Sequence, residues 1–123
     1  MKNKNIILLY DTDPQIAEQL RTILSKDEFF IETVADGTQI LPKVRSTKPA
    51  VLIANPDAHG FNDYDICKYV KGELNIPVIL LIDKTSTTRA QFGECEADDV
   101  FQKPLDNNGI LNIIRKHIAV SEG

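Results

Sequence analysis

Three uninterrupted apolar runs punctuate the chain: Ile6-Ile7-Leu8-Leu9-Tyr10, Val51-Leu52-Ile53-Ala54 and Ile76-Pro77-Val78-Ile79-Leu80-Leu81-Ile82. Runs of this kind suit strands covered on both faces, as in a parallel sheet, where no polar side alternates in. Phe29, Ile31 and Val34 mark a shorter second strand, and Val100-Phe101-Gln102 a short fifth. Between the runs the apolar period changes from continuous to helical. Ile16, Leu20, Ile23 and Leu24 share one face, as do Ile40, Leu41 and Val44, then Tyr64, Cys67 and Val70, and finally Ile110, Leu111, Ile114 and Ile118. Helix starts precede them. Asp13 before Pro14 is an N-cap followed by a first-position proline. Asp36-Gly37-Thr38-Gln39 reads as a capping box, Asn62-Asp63-Tyr64-Asp65 places acids in a first turn, and Asp106 caps the last helix. Pro42 predicts a short or kinked second helix, and Lys71-Gly72 ends the third. Thr85 to Cys95 is the weakest helical segment, with four Ser/Thr at its start and Gly93 near its end.

Strand and helix thus alternate five times, which predicts an α/β fold: a doubly wound, five-stranded parallel sheet of flavodoxin-like order 2-1-3-4-5 with five helices. Residues 1–120 form one domain, and Ser121-Glu122-Gly123 reads as a tail or the start of a linker. In this order the tips of the first and third strands meet at the switch point, where ligands collect in open α/β sheets. Asp11 and Asn55 are the residues delivered there.

The size, 123 residues, allows a single core. A net charge of −4 argues against nucleic acid or an anionic membrane as a direct partner. No apolar run approaches transmembrane length and no signal-peptide pattern opens the chain, so a cytoplasmic protein is expected. Cys67 and Cys95 make no disulfide framework and no metal spacing. His59 lies in a loop at the edge of the switch point and His117 on the last helix, where a surface position is expected; neither has a second ligand at metal spacing.

Four segments together resemble the receiver domain of two-component response regulators (CheY-like): Leu8-Leu9-Tyr10-Asp11-Thr12-Asp13-Pro14, Pro49-Ala50-Val51-Leu52-Ile53-Ala54-Asn55, Ile76-Pro77-Val78-Ile79-Leu80-Leu81 and Ala97-Asp98-Asp99-Val100-Phe101-Gln102-Lys103-Pro104. The likeness runs over almost the whole chain in order, with the fourth-helix region one residue short. It implies a pocket of two acids after the first strand and a phosphoacceptor Asp at the third strand's tip, together holding Mg²⁺. A hydroxyl ending the fourth strand, a Lys-Pro pair after the fifth and an aromatic switch on the fifth complete it. Asp11, Lys103 and Pro104 keep that pattern. Thr12 falls on the metal-ligating acid, Asn55 on the phosphoacceptor, Ile82 on the hydroxyl and Val100 on the aromatic.

These replacements share a direction. A carboxylate attacks phosphorus because its oxygen carries charge; an amide lone pair is delocalised and does not. Mg²⁺ is a hard cation that wants carboxylates, and the pocket keeps one, balanced by Lys103. The resemblance, read with its departures, implies a degenerate pseudo-receiver that is not an enzyme, needs no cofactor, binds Mg²⁺ weakly or not at all and signals through protein contacts. Lys103 is expected to bond Asp11 and the Asn55 side-chain oxygen, standing where phosphate would. The partner is another signalling protein or a fused output domain, met through the fourth-helix, fifth-strand, fifth-helix face; that face could also carry a homodimer. The acidic group Glu94, Glu96, Asp98 and Asp99 lies there, either as a basic-partner site or as a solvated surface. Two alternatives stand beside this: a working receiver using a displaced acid, Asp57 or Asp11, and a flavodoxin-type ligand binder, against which the first loop lacks a phosphate cradle. Asp57 is otherwise a loop or turn-capping acid, Asp13 a cap before a ligand, and Asp83 an exposed acid near the pocket.

Overall fold

β-branched and leucine side chains dominate the three long apolar runs, and each becomes a strand: β1 (Asn3–Tyr10), β3 (Pro49–Ala54) and β4 (Val78–Ile82). Two short strands, β2 (Phe30–Thr33) and β5 (Asp99–Gln102), lie at the edges. In this computed structural model the described residues are 3–11, 13–24, 29–34, 36–55, 70, 72, 74–82, 98–103 and 105–122, with the side chains of 3–5 and 119–122 left aside. All strand pairs are parallel, in the order β2-β1-β3-β4-β5. The order expected from the alternating pattern is the order observed. Thr12, Asp57, His59, Cys67, Asp83, Glu94, Cys95, Glu96, Pro104 and most of the third and fourth helical segments lie outside the described residues.

Side chains alternate across the sheet, and two cores follow. Ile7, Leu9, Val51, Ile53, Ile79 and Leu81 face helix α1 (Pro14–Leu24) and the last helix, α3 (Asn107–Glu122), meeting Ile16, Leu20, Ile110 and Ile114. Leu8, Tyr10, Leu52, Ala54, Val78 and Leu80 face the other way, toward Ile40 and Val44 of α2 (Ile40–Thr47) and toward Val70. Each fully buried Ile or Leu contributes about 1.5–3 kcal/mol relative to exposure, so this double-sided burial explains why β3 and β4 carry no polar alternation.

Helix starts follow the sequence closely. Asp13 caps α1, its Oδ1 accepting from the Gln15 N–H at 2.9 Å. Asp36 Oδ1 accepts from Thr38 N–H and the Thr38 hydroxyl at 2.8 and 2.9 Å. The turn it caps is a 3₁₀ turn (Gly37–Gln39), and Gln39 then precedes α2 without a side-chain capping bond. Pro42 sits third in α2, where its missing N–H has no intrahelical partner to lose; α2 is short, at eight residues. Asp106 caps α3 through Gly109 N–H at 2.9 Å. A Cβ at residue 109 would lie 2.9 Å from that carboxylate and 3.2 Å from the Phe101 ring, so the glycine permits both approaches.

Three expectations change. Gly72 is helical, and the left-handed residue that turns the chain toward β4 is Asn75, at φ 56°; asparagine tolerates that region better than other non-glycine residues. Ser121 and Glu122, read as a tail, continue α3. His117, expected at the surface, is 9% exposed. It lies one helical step from Ile114 and next to Ile118, on the buried stripe of α3, and its polar ring is accommodated by Asp99 Oδ2 at 2.7 Å.

Lys48 ends α2 with φ 47°, a conformation that costs a lysine its Cβ clash and a glycine nothing. Lys48→Gly is expected to raise stability by about 0.5–1 kcal/mol, read as a higher denaturant midpoint with unchanged slope.

Candidate functional site

Strand parity aims the site. Ile7 and Leu9 on β1, Val51 and Ile53 on β3, and Phe101 on β5 all belong to the core under α1 and α3. Two residues further along each strand, the same parity brings Asp11, Asn55 and Lys103 to one end of the sheet. The backbone fixes their heights. Asn55 N–H donates to Tyr10 O at 2.8 Å, and Lys103 N–H donates to Ile82 O at 2.9 Å.

Their side chains converge on one carboxylate. Lys103 Nζ lies 2.9 Å from Asp11 Oδ2, and Asn55 Nδ2 donates to the same oxygen at 3.4 Å. Asp11 Oδ1 accepts from the Asp13 N–H at 2.9 Å. The Asp11 side chain is 1% exposed, that of Lys103 15%, and Asn55 as a residue 2%. A carboxylate only accepts, so the amide turns its nitrogen, not its oxygen, toward Asp11. The expected bond from Lys103 to Asp11 is present, and Asn55 Nδ2 donates to the same carboxylate.

Among the described residues, Asp11 is the one carboxylate at this junction, with an amide and an ammonium beside it. Among the described residues no three His, Cys, Asp or Glu side chains converge. Both oxygens of Asp11 are taken by N–H donors, whereas Mg²⁺ is ordinarily held through one or two carboxylates and phosphate oxygens.

Two further residues support this end. Gln19 on α1 donates from Nε2 to Leu105 O at 3.1 Å and to Asn107 Oδ1 at 2.8 Å, fastening the connection after Lys103 to α1. Its sequence gives no signal, since it is a polar residue between helix faces. Tyr10, 1% exposed, had one: a phenol at the end of a buried strand needs a polar partner. Burial raises its pKa above 10.0, helped by the Asp36 and Asp11 charges, while a hydrogen bond with the Gly37 backbone works in the opposite direction. The folded state therefore holds this proton more tightly than the unfolded chain. Its stabilisation is complete below pH 10.0 and is lost as pH rises through the folded value. Tyr10→Phe is expected to flatten the fall in denaturant midpoint between about pH 9 and about pH 11.

Other candidates sort differently. Ile82 is fully buried and Val100 is 36% exposed. Asp98 is not simply a solvated acid: its Oδ2 accepts from Val78 N–H at 2.8 Å while its own N–H donates to Val78 O at 2.9 Å, closing the start of β4. Asp99 holds His117, with Lys116 Nζ at 3.9 Å. Half of the acidic group thus has local work; Glu94 and Glu96 lie outside the described residues.

Residues 7–115 match the family described as the response regulator receiver domain. The chain belongs to that family. The receiver is 30% identical over 117 residues to the DNA-binding response regulator MtrA of Mycolicibacterium smegmatis, covering 94% of this chain and 51% of that protein. It therefore spans about half the length of the curated relatives it matches. Among solved structures it is similar to the signal receiver domain of a signal transduction histidine kinase from Syntrophus aciditrophicus, at TM-score 0.81 and 27% identity, covering 94% of this chain and 90% of that one. The signal receiver domain of an HD domain-containing protein from Pseudomonas fluorescens Pf-5 shares the fold at TM-score 0.81 and 20% identity, covering 98% of each chain. No described helix of the receiver is long and apolar enough to cross a membrane.

Proposed function

We propose that this receiver is a phosphorylation-independent signalling module that acts through protein contacts in a two-component setting. One observation carries the reading: at the phosphoacceptor position stands a buried amide whose nitrogen donates to Asp11, on an oxygen that Lys103 also holds. The neutral amide offers no charged oxygen to attack phosphorus, and the carboxylate beside it is already neutralised. The module performs no catalysis, requires no cofactor and does not depend on Mg²⁺. Thr12, Ile82 and Val100 replace the metal acid, hydroxyl and aromatic expected of a working pocket. Its partner is a signalling protein or a fused output domain; the latter is supported by relatives about twice its length. The face built from β5 and α3 remains the contact surface of choice, and a net charge of −4 favours a protein over nucleic acid there.

Incubation with acetyl phosphate and Mg²⁺, followed by intact-mass measurement, is expected to show no added phosphate. A stoichiometric gain of one phosphate would overturn the reading, and fragment mapping to Asp57 or Asp11 would then identify a displaced acceptor.

A further inference from the structure

An asparagine standing where a carboxylate would restore chemistry raises a question of durability, because asparagine side chains hydrolyse to aspartate as proteins age. The ordinary route needs the backbone nitrogen of the next residue. That nitrogen loses its proton and bonds to the side-chain carbonyl carbon, ammonia leaves, and water opens the resulting cyclic imide to aspartate or its isomer. The residue after Asn55 is Pro56. A proline nitrogen carries no hydrogen, so the neutral imide cannot form.

Two slower routes remain, and the fold opposes both. In the first, Nδ2 of the asparagine attacks its own backbone carbonyl carbon, breaking the bond to the next residue, whose nitrogen takes the proton. Here Nδ2 is directed at Asp11 Oδ2. In the second, water adds directly to the amide carbon and expels ammonia. Asn55 is 2% exposed, and the carboxylate that could activate such a water has its oxygens on Lys103, Asn55 and the Asp13 N–H.

We propose that Asn55 is a permanent amide: Pro56 closes the imide route, and burial with the Asp11 bond closes the others, so this receiver does not acquire an acceptor carboxylate by spontaneous ageing. The consequence for signalling rests on the function proposed above; the chemistry does not, and its test does not use phosphate.

The chain carries its own clock. Asn108-Gly109 is a sequence in which imide formation is fast once the backbone is free. In the fold, Gly109 N–H is held by Asp106 Oδ2. Wild-type full chain and Pro56→Gly are incubated at mildly alkaline pH, both in native buffer and unfolded in guanidinium, until half of Asn108 in the unfolded samples has converted. Peptide mapping by mass spectrometry then reads residue 55. In the unfolded wild type, Asn108 is expected to convert while Asn55 keeps its amide; in unfolded Pro56→Gly, Asn55 converts at a rate comparable to Asn108. Native wild type is expected to show neither conversion at Asn55 nor a chain break before Pro56. Conversion of Asn55 in the unfolded wild type, or its survival in unfolded Pro56→Gly, overturns the role of Pro56. Conversion or cleavage in native wild type overturns the protection by the fold. The unfolded arms need no folded variant, and labelling by acetyl phosphate would leave all these rates unchanged.

Discussion

Replacing Lys103 with methionine is expected to destabilise the receiver by about 3–5 kcal/mol, the cost of leaving a buried charge without its partner. Methionine keeps most of the hydrocarbon stem, so the loss isolates the ammonium. What remains is the Asp11 carboxylate, 1% exposed, bonded among the described residues to neutral N–H donors from Asn55 and Asp13. The companion variant Asp11→Asn/Lys103→Met removes both charges while residue 11 can still accept from the Asp13 N–H. Replacing a whole buried pair is often neutral or better, so the double variant should return to within about 1 kcal/mol of wild type by equilibrium denaturation. Full stability in Lys103→Met would mean that the 2.9 Å contact does not hold this end of the sheet together.

That end was the most legible part of the chain. Continuous apolar runs dictated strands buried on both sides, their order followed from alternation with helices, and the switch point then took Asp11 and Asn55 to one edge, where the resemblance to receivers implied Lys103 as well. Asp13-Pro14 and Asp106 announced their helices because capping chemistry is local. What escaped was chemistry that depends on three-dimensional neighbours. By residue type His117 suggests a surface position, although its spacing from Ile110 and Ile114 puts it on the buried stripe. The arrival of Asp99 from β5 gives the imidazole a polar partner at that position. Asp98 looked like one of four solvated acids, and its bond to Val78 N–H required β4 and β5 to be neighbours first. Gln19 needed α1 to lie beside the β5–α3 connection. Sequence period reports which face is buried; it does not report which polar atom waits there.

Asn55→Asp alone is expected to weaken the fold at neutral pH by about 1–3 kcal/mol, the range of a poorly compensated buried charge. It places a second carboxylate within hydrogen-bond distance of Asp11, where Lys103 is the one cation in contact among the described residues. The like charge raises the folded pKa of the new acid. The folded variant then holds that proton more tightly than the unfolded chain, so the deficit is absent below about pH 4 and opens as pH rises toward neutrality. Thr12→Asp/Asn55→Asp adds the remaining acid and turns repulsion into a cation site. Mg²⁺ at a hundred times its dissociation constant should stabilise this double variant by about 2.7 kcal/mol and leave wild type unmoved. Acetyl phosphate should then add one phosphate to the double variant, slowly, because Ile82 still offers the phosphoryl oxygens no hydroxyl. Equal stabilisation of wild type by Mg²⁺ would show that one carboxylate, one amide and a lysine suffice to hold the ion, and the proposed independence from metal would fall.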